Sequence, residues 1–314
     1  MPYDFTGQVA IITGAGGGLG RAHAHAFARR GAMVVVNDLG GARDGGDKAG
    51  PDSGPDSGLD SGPSAAEKVV QEITSQGGRA LANFGNVTSQ TDMQDMVDQT
   101  MSAFGRLDIL VNNAGILRDK TFSKMALSDF QAVLDVHLMG SVIATRAVLP
   151  IMKDQEYGRI VMTTSSSGLY GNFGQSNYGA AKLALVGLTN TLKLELFRSN
   201  IRVNALAPVA ATRMTDDIMP PQMLDLLTPE SVSPAVLYLC GKEAPTGEII
   251  TAGAGTFARA QILESAGMFL GPEATPEMIA ENWDDISDMG RAKSYKQGAD
   301  QSQKFIVGAF ESEA

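Results

Sequence analysis

Three side chains in the middle of the chain have the types and the spacing that move a proton on or off an alcohol: Ser165, Tyr178 and Lys182. Tyr178 and Lys182 stand four apart in NYGAAKLALVGLTNTLKLEL, whose apolar residues recur at helical spacing, so both side chains share one face. A phenol has an ordinary pKa of about 10, and a neighbouring ammonium favours its ionised form. Ser165 lies thirteen residues before Tyr178 and can donate a hydrogen bond to a carbonyl oxygen. The set predicts acid–base catalysis, whereas a Tyr–Lys pair alone also fits an ordinary surface helix.

A glycine-rich turn near the N-terminus predicts a site for the phosphates of a dinucleotide. The apolar strand 8–12 leads into TGAGGGLG and then into a helix. A strand, a glycine turn and a helix form the context that a phosphate-binding loop requires, and without them the glycines would indicate only a flexible turn. Gly14 permits the turn, Gly18 lets the backbone approach a pyrophosphate, and Gly20 lets the helix pack on the strand.

An acidic residue at the end of the next apolar strand, 33–37, predicts NAD as the cofactor. Asp38 follows the glycine loop by about 20 residues, where a carboxylate accepts hydrogen bonds from the adenosine ribose and repels a 2′-phosphate. No arginine stands inside the loop to bind that phosphate, although Arg21 and Arg43 are candidates that would oppose the prediction. The alternative is that Asp38 is only a turn residue in NDLGG.

Apolar strands alternate with helices along the chain, which predicts parallel β-α-β units and a doubly wound α/β sheet of the Rossmann type. Seven strands are predicted, at 8–12, 33–37, 79–84, 107–111, 158–163, 201–206 and 247–251. We expect one domain over 1–260 and a C-terminal extension, 261–314, that packs on it or extends from it. Residues 40–64, with PDSG, PDSG and LDSG in tandem, predict a low-complexity surface insert without chemistry of its own.

The carboxyl ends of the predicted strands carry small and amide residues, at the edge where open α/β sheets bind ligands. The NNAG turn follows the fourth strand, and its Asn113, Ala114 and Gly115 would allow a cofactor to approach the backbone closely. Asn86 and Val87 follow the third strand, where an amide could meet an adenine edge.

TGAGGGLG, Asp38, NNAG, Ser165 and YGAAK occur in the order and spacing of the short-chain dehydrogenase/reductase family, and this resemblance covers about residues 6–255. The resemblance implies that Tyr178 is the acid/base and that Ser165 holds the substrate oxygen. It implies that Lys182 modifies the pKa of Tyr178 and binds the nicotinamide ribose.

Further contacts follow from the same resemblance. It implies cofactor contacts at Leu19 in the glycine loop and at Thr212, which matches the position that contacts the carboxamide. His137 occupies the position where many members carry an asparagine that anchors a water in a proton relay. We treat His137 as a candidate relay residue, with a satisfied core histidine as the alternative. Val209 replaces the family's glycine after Pro208, and Asn86 replaces an acidic residue of the adenine pocket.

Several phrases resemble one subgroup more narrowly: VVVNDLGG, NNAGILRDK, YGNFGQSNY and TPEMIAENWDDISD are similar to the (3R)-hydroxyacyl-CoA dehydrogenase units of peroxisomal multifunctional enzymes of type 2. This implies hydride transfer between NAD and a secondary alcohol, namely (3R)-3-hydroxyacyl-CoA oxidised to 3-oxoacyl-CoA. The alternative substrate is a 17β-hydroxysteroid. The alternative from another class is a non-catalytic NAD-binding sensor or scaffold, because a fold does not determine function.

The sequence signals for substrate-binding residues are less specific than those for the cofactor. The Met- and Pro-rich segment 209–229 has no regular period and is a candidate lid over an apolar cleft. Arg118, Lys120 and Arg213 are candidates for binding a CoA phosphate, with solvated surface charges as the alternative. The helices predicted over 128–153 and 177–198 are apolar over much of their surface, which suggests a homodimer or homotetramer.

The composition of the chain argues against several classes of partner and of cellular location. The net charge of −10 argues against nucleic acid and against an anionic membrane surface as partners, although a helix N-terminus can still bind an anionic ligand. The only cysteine, Cys240, excludes an intramolecular disulfide and fits a reducing compartment. No metal site is predicted. We see neither a secretory signal nor an apolar run long enough to cross a bilayer, and ESEA is not a peroxisomal or ER address, so we expect a cytoplasmic enzyme.

Overall fold

The computed structural model describes residues 3–41, 44–46, 62–211 and 225–311. Arg43, Thr212, Arg213, most of the insert predicted over 40–64 and most of the predicted lid lie outside these ranges. The chain divides into two compact units, Met1–Arg259 and Ala260–Ala314.

The first unit is built on one sheet with strand order β3-β2-β1-β4-β5-β6-β7-β8. The strands are β1 (Val9–Thr13), β2 (Met33–Asn37), β3 (Arg79–Asn83), β4 (Ile109–Asn112), β5 (Gly158–Thr163), β6 (Ile201–Pro208), β7 (Ile249–Gly253) and β8 (Thr256–Ala260). The pairs from β3 to β7 are all parallel, and the order reverses at β1 and β4. The predicted doubly wound α/β fold is confirmed.

An eighth strand, β8, extends the sheet beyond the seven predicted strands. It follows β7 after Ala254 and Gly255, both with positive φ, 47° and 73°. A two-residue turn of this kind joins antiparallel neighbours. Its side chains are largely exposed, so the sequence TFARA carries no buried apolar run that would have predicted it.

Helices cover both faces of this sheet. In the first unit they are α1 (Gly18–Ala28), α2 (Ala65–Ser75), α3 (Gln90–Phe104), α4 (Leu127–Leu134), α5 (Gly140–Asp154), α6 (Ser166–Tyr170), α7 (Ser176–Glu195) and α8 (Ser233–Cys240). In the second unit they are α9 (Pro276–Glu281), α10 (Trp283–Ile286) and α11 (Gly298–Glu311). Side-chain capping fixes the residue at which some of these helices begin. Ser64 and Glu67 form a reciprocal capping box at α2, which satisfies two N–H groups that the helix cannot satisfy itself.

Two apolar layers hold the sheet in place. On one face Phe27 of α1 and Val236 of α8 are fully buried, and on the other Val148 of α5 and Leu185 of α7 are. The strands between these layers, β1 and β2 among them, are buried at every position. Continuous apolar strands are what a sheet covered on both faces requires.

The helix predicted over 128–153 is instead α4, a π-helical turn (Asp135–Met139) and α5. The combined segment Leu127–Asp154 is long and apolar enough to cross a membrane by length and composition, which corrects the expectation that no apolar run reaches that length. Its apolar side chains serve the core, because Ala144, Val148 and Met152 are fully buried. A core helix passes the same test of length and composition.

The second unit is held by polar contacts. Glu264 pairs its backbone with Lys293, and its carboxylate accepts a hydrogen bond from Lys304 Nζ at 2.8 Å. No side chain described in this unit is fully buried. Burial of apolar area within the unit therefore contributes little to its stability.

Candidate active site

The structure brings Ser165, Tyr178 and Lys182 together, as their spacing predicts. Ser165 caps the N-terminus of α6, and its Oγ accepts a hydrogen bond from Ser167 N–H at 3.2 Å. Tyr178 and Lys182 lie one turn apart on α7, with Lys182 Nζ 5.5 Å from the centre of the Tyr178 ring. Burial raises the pKa of Tyr178, and a hydrogen bond with the Ser165 side chain opposes this rise.

Lys182 is buried, with 3% of its surface exposed. Its Nζ donates a hydrogen bond to the main-chain oxygen of Thr163 at 2.5 Å. Loss of hydration disfavours the ammonium, and burial lowers the pKa of Lys182 to about 7. This amine can therefore exist in either protonation state near neutral pH.

The pKa of the Tyr178 phenol is shifted in the direction opposite to our expectation. Burial raises the pKa of Tyr178, the hydrogen bond with Ser165 opposes this rise, and the negative charge of Asp119 adds to it. We expected the ammonium of Lys182 to lower the pKa of Tyr178. The structure shows the opposite net direction, because removal from water acts on both partners and disfavours the charged form of each.

His137 lies in the π-helical turn, edge-on to Tyr178, with ring centroids 5.1 Å apart. Its Nε2 is 2.8 Å from Ile116 O and 3.1 Å from Ile116 N. Burial, followed by the charge of Lys182, holds the pKa of His137 well below its ordinary value, so the ring is neutral. Its Nδ1 is buried and has no hydrogen-bond partner among the described residues. π-Helical turns recur at functional sites, where they redirect a side chain.

The glycine loop and the NNAG turn lie against each other. Gly14 has φ +64°, and a Cβ there would be 2.7 Å from the Cα of Ala114. The side chain of Asn113 donates hydrogen bonds to Thr13 O at 2.9 Å and to Gly14 O at 3.0 Å. A Cβ on Gly20 would be 2.3 Å from Gly14 O, so that position requires glycine.

Two residues of this loop were missed by sequence reasoning. The hydroxyl of Thr13 accepts hydrogen bonds from the N–H groups of Asn113 and Ala114, at 3.0 and 3.1 Å. Gly16 N–H donates to the carboxylate of Asp38 at 2.8 Å, and a Cβ on Gly16 would lie 2.8 Å from that carboxylate. In the sequence, the signal for the second contact was the glycine at the third position of the GAGGG run, Gly16.

The other residues predicted to bind the cofactor differ in burial and in their contacts. Gly18 has φ +50° and begins α1, while Leu19 is partly buried and packs on the core layer of α1. Asn86 Oδ1 accepts hydrogen bonds from the N–H and hydroxyl of Thr88, at 3.0 and 2.9 Å, and so shapes the turn after β3. Val87 is 7% exposed and packs in the core rather than facing solvent.

The candidate phosphate-binding cations are engaged in ion pairs. Arg118 and Lys120 lie 3.2 and 3.6 Å from the carboxylate of Asp129. Arg21 pairs with Glu72 at 2.9 Å across α1 and α2. Arg21 is therefore held toward α2 by an opposite charge.

The glycine cradle fits a dinucleotide. The backbone leaves no room for side chains at Gly14 and Gly20, and a carboxylate stands at the carboxyl end of β2, beside the point where the strand order reverses. In the described part of the chain, no group of three or more His, Cys, Asp or Glu residues is placed to hold a metal ion. An open groove of about 800 Å³ between Tyr3, Arg30 and Leu237 contains none of these site residues.

The family model for short chain dehydrogenase matches residues 57–222. A protein of Mycobacterium tuberculosis that carries the family's name is 47% identical over 91% of this chain and 96% of its own length. The chain belongs to the short-chain dehydrogenase/reductase family. As a member with relatives named dehydrogenases, it is an oxidoreductase that acts on CH–OH groups.

Two solved structures refine the comparison. Full-length peroxisomal multifunctional enzyme type 2 from Drosophila melanogaster has a TM-score of 0.78 and 36% identity and is matched over 96% of this chain. This chain spans 49%, about half, of that larger protein. A 7α-hydroxysteroid dehydrogenase in complex with NADH and a 7-oxo bile acid has a TM-score of 0.69 and 31% identity, over 81% of this chain and 96% of that one.

The comparisons also correct one expectation. Relatives from Dictyostelium discoideum, mouse and Saccharomyces cerevisiae, 43% to 44% identical to this chain, are all named peroxisomal enzymes. The expectation of a cytoplasmic location is therefore wrong. It rested on the lack of a targeting signal in one sequence, and such an absence carries little information about where a protein works.

Proposed function

We propose that this protein interconverts a (3R)-3-hydroxyacyl-CoA and the 3-oxoacyl-CoA, with NAD as the cofactor. The observation that carries the proposal is the convergence of Ser165, Tyr178 and Lys182 beside the glycine cradle. The names of the multifunctional relatives, one of them a hydratase-dehydrogenase-epimerase, support the substrate class. The same relatives support a peroxisomal location. We assign this activity to residues 1–260, with 261–314 as an extension.

The chemistry divides among the three side chains. Tyr178 accepts the alcohol proton as the phenolate and returns it to the ketone in reverse. The Oγ of Ser165 accepts an N–H from Ser167, so the hydroxyl acts as a donor toward Tyr178 and, when substrate is bound, toward the substrate oxygen, where negative charge develops. When bound, NAD supplies hydride transfer and the positive nicotinamide ring. Lys182, with a pKa of about 7, then exchanges the proton between the phenol and its surroundings.

His137 is proposed as the next member of the proton path. It is neutral, it borders Tyr178, and the Nδ1 atom has no protein partner in the described chain. If Nε2–H donates to Ile116 O, then Nδ1 is an acceptor that can take part in proton exchange. His137 lies in a π-helical turn, a feature frequent at functional sites, which supports a role beyond core packing.

NAD is proposed over NADP on charge and on geometry. Asp38 accepts an N–H from Gly16 of the loop, so its carboxylate stands where the adenosine ribose is expected. Arg21 pairs with Glu72, which competes with any 2′-phosphate for that guanidinium. The solved relative that holds NADH supports the same choice. Gly14, Gly18, Leu19 and Gly20, with the NNAG turn, would hold the rest of the cofactor.

Self-association is proposed from exposed apolar side chains on the active-site helices. Leu183 and Leu194 of α7 are 49% and 48% exposed, and Met139 of the π-helical turn is 44% exposed. A contiguous apolar patch formed by such side chains on adjacent elements is typical of a protein contact. A homodimer or homotetramer of this chain would bury them.

A hydroxysteroid is the second candidate substrate, favoured by the structural match to a dehydrogenase bound to a bile acid.

One experiment separates the two candidate substrates. Turnover is measured with (3R)- and (3S)-3-hydroxyacyl-CoA and with a 17β-hydroxysteroid, each with NAD and with NADP. We expect the highest kcat/KM for the (3R)-thioester with NAD. Faster turnover of the steroid would overturn the thioester assignment, and no turnover with any pair would leave the non-catalytic alternative.

A further inference from the structure

The loop that follows β4 is hydrogen-bonded to the connection between α6 and α7. Lys120 N–H donates to Gly174 O at 2.9 Å. Beside this contact, Gln175 Nε2 donates to the carboxylate of Asp119 at 2.7 Å, although the two residues are 56 apart in the chain. This side-chain bond joins the substrate-side loop to the segment that carries Ser165 and Tyr178.

Gln175 has one orientation in this network. It is 8% exposed, and its Oε1 accepts hydrogen bonds from Ser167 Oγ at 2.8 Å and from Asn172 Nδ2 at 3.1 Å. A flipped amide would turn its oxygen toward the Asp119 carboxylate and its NH₂ group toward the Asn172 donor, so the carboxylate selects the observed state. Ser167 then donates its backbone N–H to Ser165 Oγ.

We propose that Asp119 is a positioning residue for proton transfer at Tyr178: its carboxylate orients Gln175, which holds Ser167 and thereby aims the Ser165 hydroxyl, and it adds negative charge to the surroundings of the phenol. This rests on the proposed acid–base role of Tyr178. Asp119 is not expected to touch the reacting atoms, so its effect is carried by these neighbours.

The charged and titratable groups around Tyr178 are few in the described chain. Lys182 lies on the same helix and His137 on the π-helical turn, while Asp119 comes from the loop after β4. Burial suppresses the positive charge of the first two groups. Asp119 therefore supplies the carboxylate that opposes phenolate formation, and the hydrogen bond with Ser165 favours it.

Asp119→Asn tests the proposal, because it removes the charge and keeps an oxygen that can accept the Gln175 N–H. The oxidation rate requires the phenolate, so kcat/KM rises with pH along a limb that reports the pKa of the phenol. We expect this limb to shift to lower pH by roughly half a unit or more. At a fixed pH below the limb, half a unit is an increase of about threefold.

Two further variants separate charge from orientation. Gln175→Leu keeps the Asp119 carboxylate and breaks the link to Ser165, whose hydrogen bond favours the phenolate. We therefore expect a lower kcat and no shift of the limb to lower pH. Asp129→Asn is the matched control, because it removes an equal charge that pairs with Arg118 and Lys120 of the same loop. Its limb should coincide with that of the wild type.

An unshifted limb in Asp119→Asn, or an equal shift in Asp129→Asn, overturns the proposal. If Asp119→Asn does not fold, Asp119→Ser removes the same charge, and ultraviolet titration of the phenolate reads the shift without turnover. Failure of the underlying function is recognised separately: Tyr178→Phe would then retain wild-type turnover and the same limb.

Discussion

A Cβ atom built on Gly115 would lie 2.3 Å from Cε1 of His137, so the NNAG turn and this imidazole are in direct contact. The same ring stands edge-on to Tyr178. The glycine that the sequence assigns to cofactor approach therefore also makes room for a neighbour of the phenol, and it links the two halves of the site.

Gly115→Ala should displace His137 and with it Tyr178. We expect kcat to fall at least about tenfold and the protein to lose about 1–3 kcal/mol of unfolding free energy, because the added methyl group meets a ring in a packed core. Kinetics and denaturant unfolding measure the two effects. Gly187→Ala on α7 is the matched control, since a Cβ there meets nothing within 4 Å. Equal effects of the two variants would contradict this account.

Tyr178→Phe removes the proposed acid/base and keeps the ring. We expect kcat to fall by about 10²–10⁴, the usual contribution of a positioned acid or base, with little change in NAD affinity. Steady-state kinetics and NAD fluorescence titration check these outcomes. Tyr157→Phe is the control, because the hydroxyl of Tyr157 accepts a hydrogen bond from Gln8 at 3.1 Å, outside the site. Near wild-type turnover in Tyr178→Phe would retire the assignment.

Asp38→Asn removes the charge that the cofactor prediction depends on. In the wild type one carboxylate oxygen accepts the Gly16 N–H and the other accepts the Gly40 N–H. The amide oxygen can keep the bond to Gly16 of the glycine loop and loses the bond to Gly40, while repulsion of a 2′-phosphate disappears. We expect the ratio of kcat/KM for NAD to that for NADP to fall by about tenfold, a change of about 1.4 kcal/mol. A wild-type enzyme that already prefers NADP would contradict the prediction.

The burial of His23 predicts that the unfolding free energy of the protein depends on pH. The side chain is fully buried, and burial lowers the pKa of His23 to about 3, while the unfolded chain titrates at about 6.5. Between these values the unfolded state binds the proton more readily, so the unfolding free energy falls as pH falls, by up to about 1.4 kcal/mol per pH unit. His23→Gln should reduce this slope below about pH 6.5. An unchanged slope in urea titrations would argue against the assignment, while His137 leaves a residual slope in both proteins.

Arg159 is buried at the amino end of β5, with 1% of its surface exposed. Its guanidinium donates to four main-chain oxygens, those of Gly158, Asn200, Gly241 and Lys242, at 2.6 to 3.0 Å. It also lies 4.1 Å from the centre of the Tyr157 ring. The bonds to Gly241 and Gly158 are buried, and those to Asn200 and Lys242 are partly buried. Removing the guanidinium is costly because the buried carbonyls lose their partner away from water.

Arg159→Met should therefore destabilise the protein by about 3–5 kcal/mol while leaving kcat of the folded fraction unchanged, since Arg159 lies at the opposite end of β5 from the site. Thermal unfolding and active-site-normalised kinetics test both statements. Arg202→Met is the control: its guanidinium lies over the Phe197 ring at 4.8 Å, and we expect a loss within about 1 kcal/mol. A similar loss for both variants would contradict the role given to the buried carbonyls.

Local patterns in the sequence were sufficient to predict the outline of the fold and to propose the members of the site. Strands such as Val9–Thr13 and Met33–Asn37 are continuous apolar runs, and Tyr178 and Lys182 share a helix face because of their spacing alone. Gly14, Gly20 and Asp38 follow from strand–turn–helix order. These features depend on residues that are close in the sequence, so they can be predicted from the sequence without the tertiary structure.

Tertiary structure alone decided the electrostatics and the second layer of the site. Whether Tyr178 and Lys182 are charged depends on how far burial removes them from water, and this is set by helices distant in sequence. The Asp119–Gln175 bond and the contact between Gly115 and His137 likewise join distant segments. Such contacts leave no periodic trace in the chain, because they arise only when the folded sheet brings its loops to one edge.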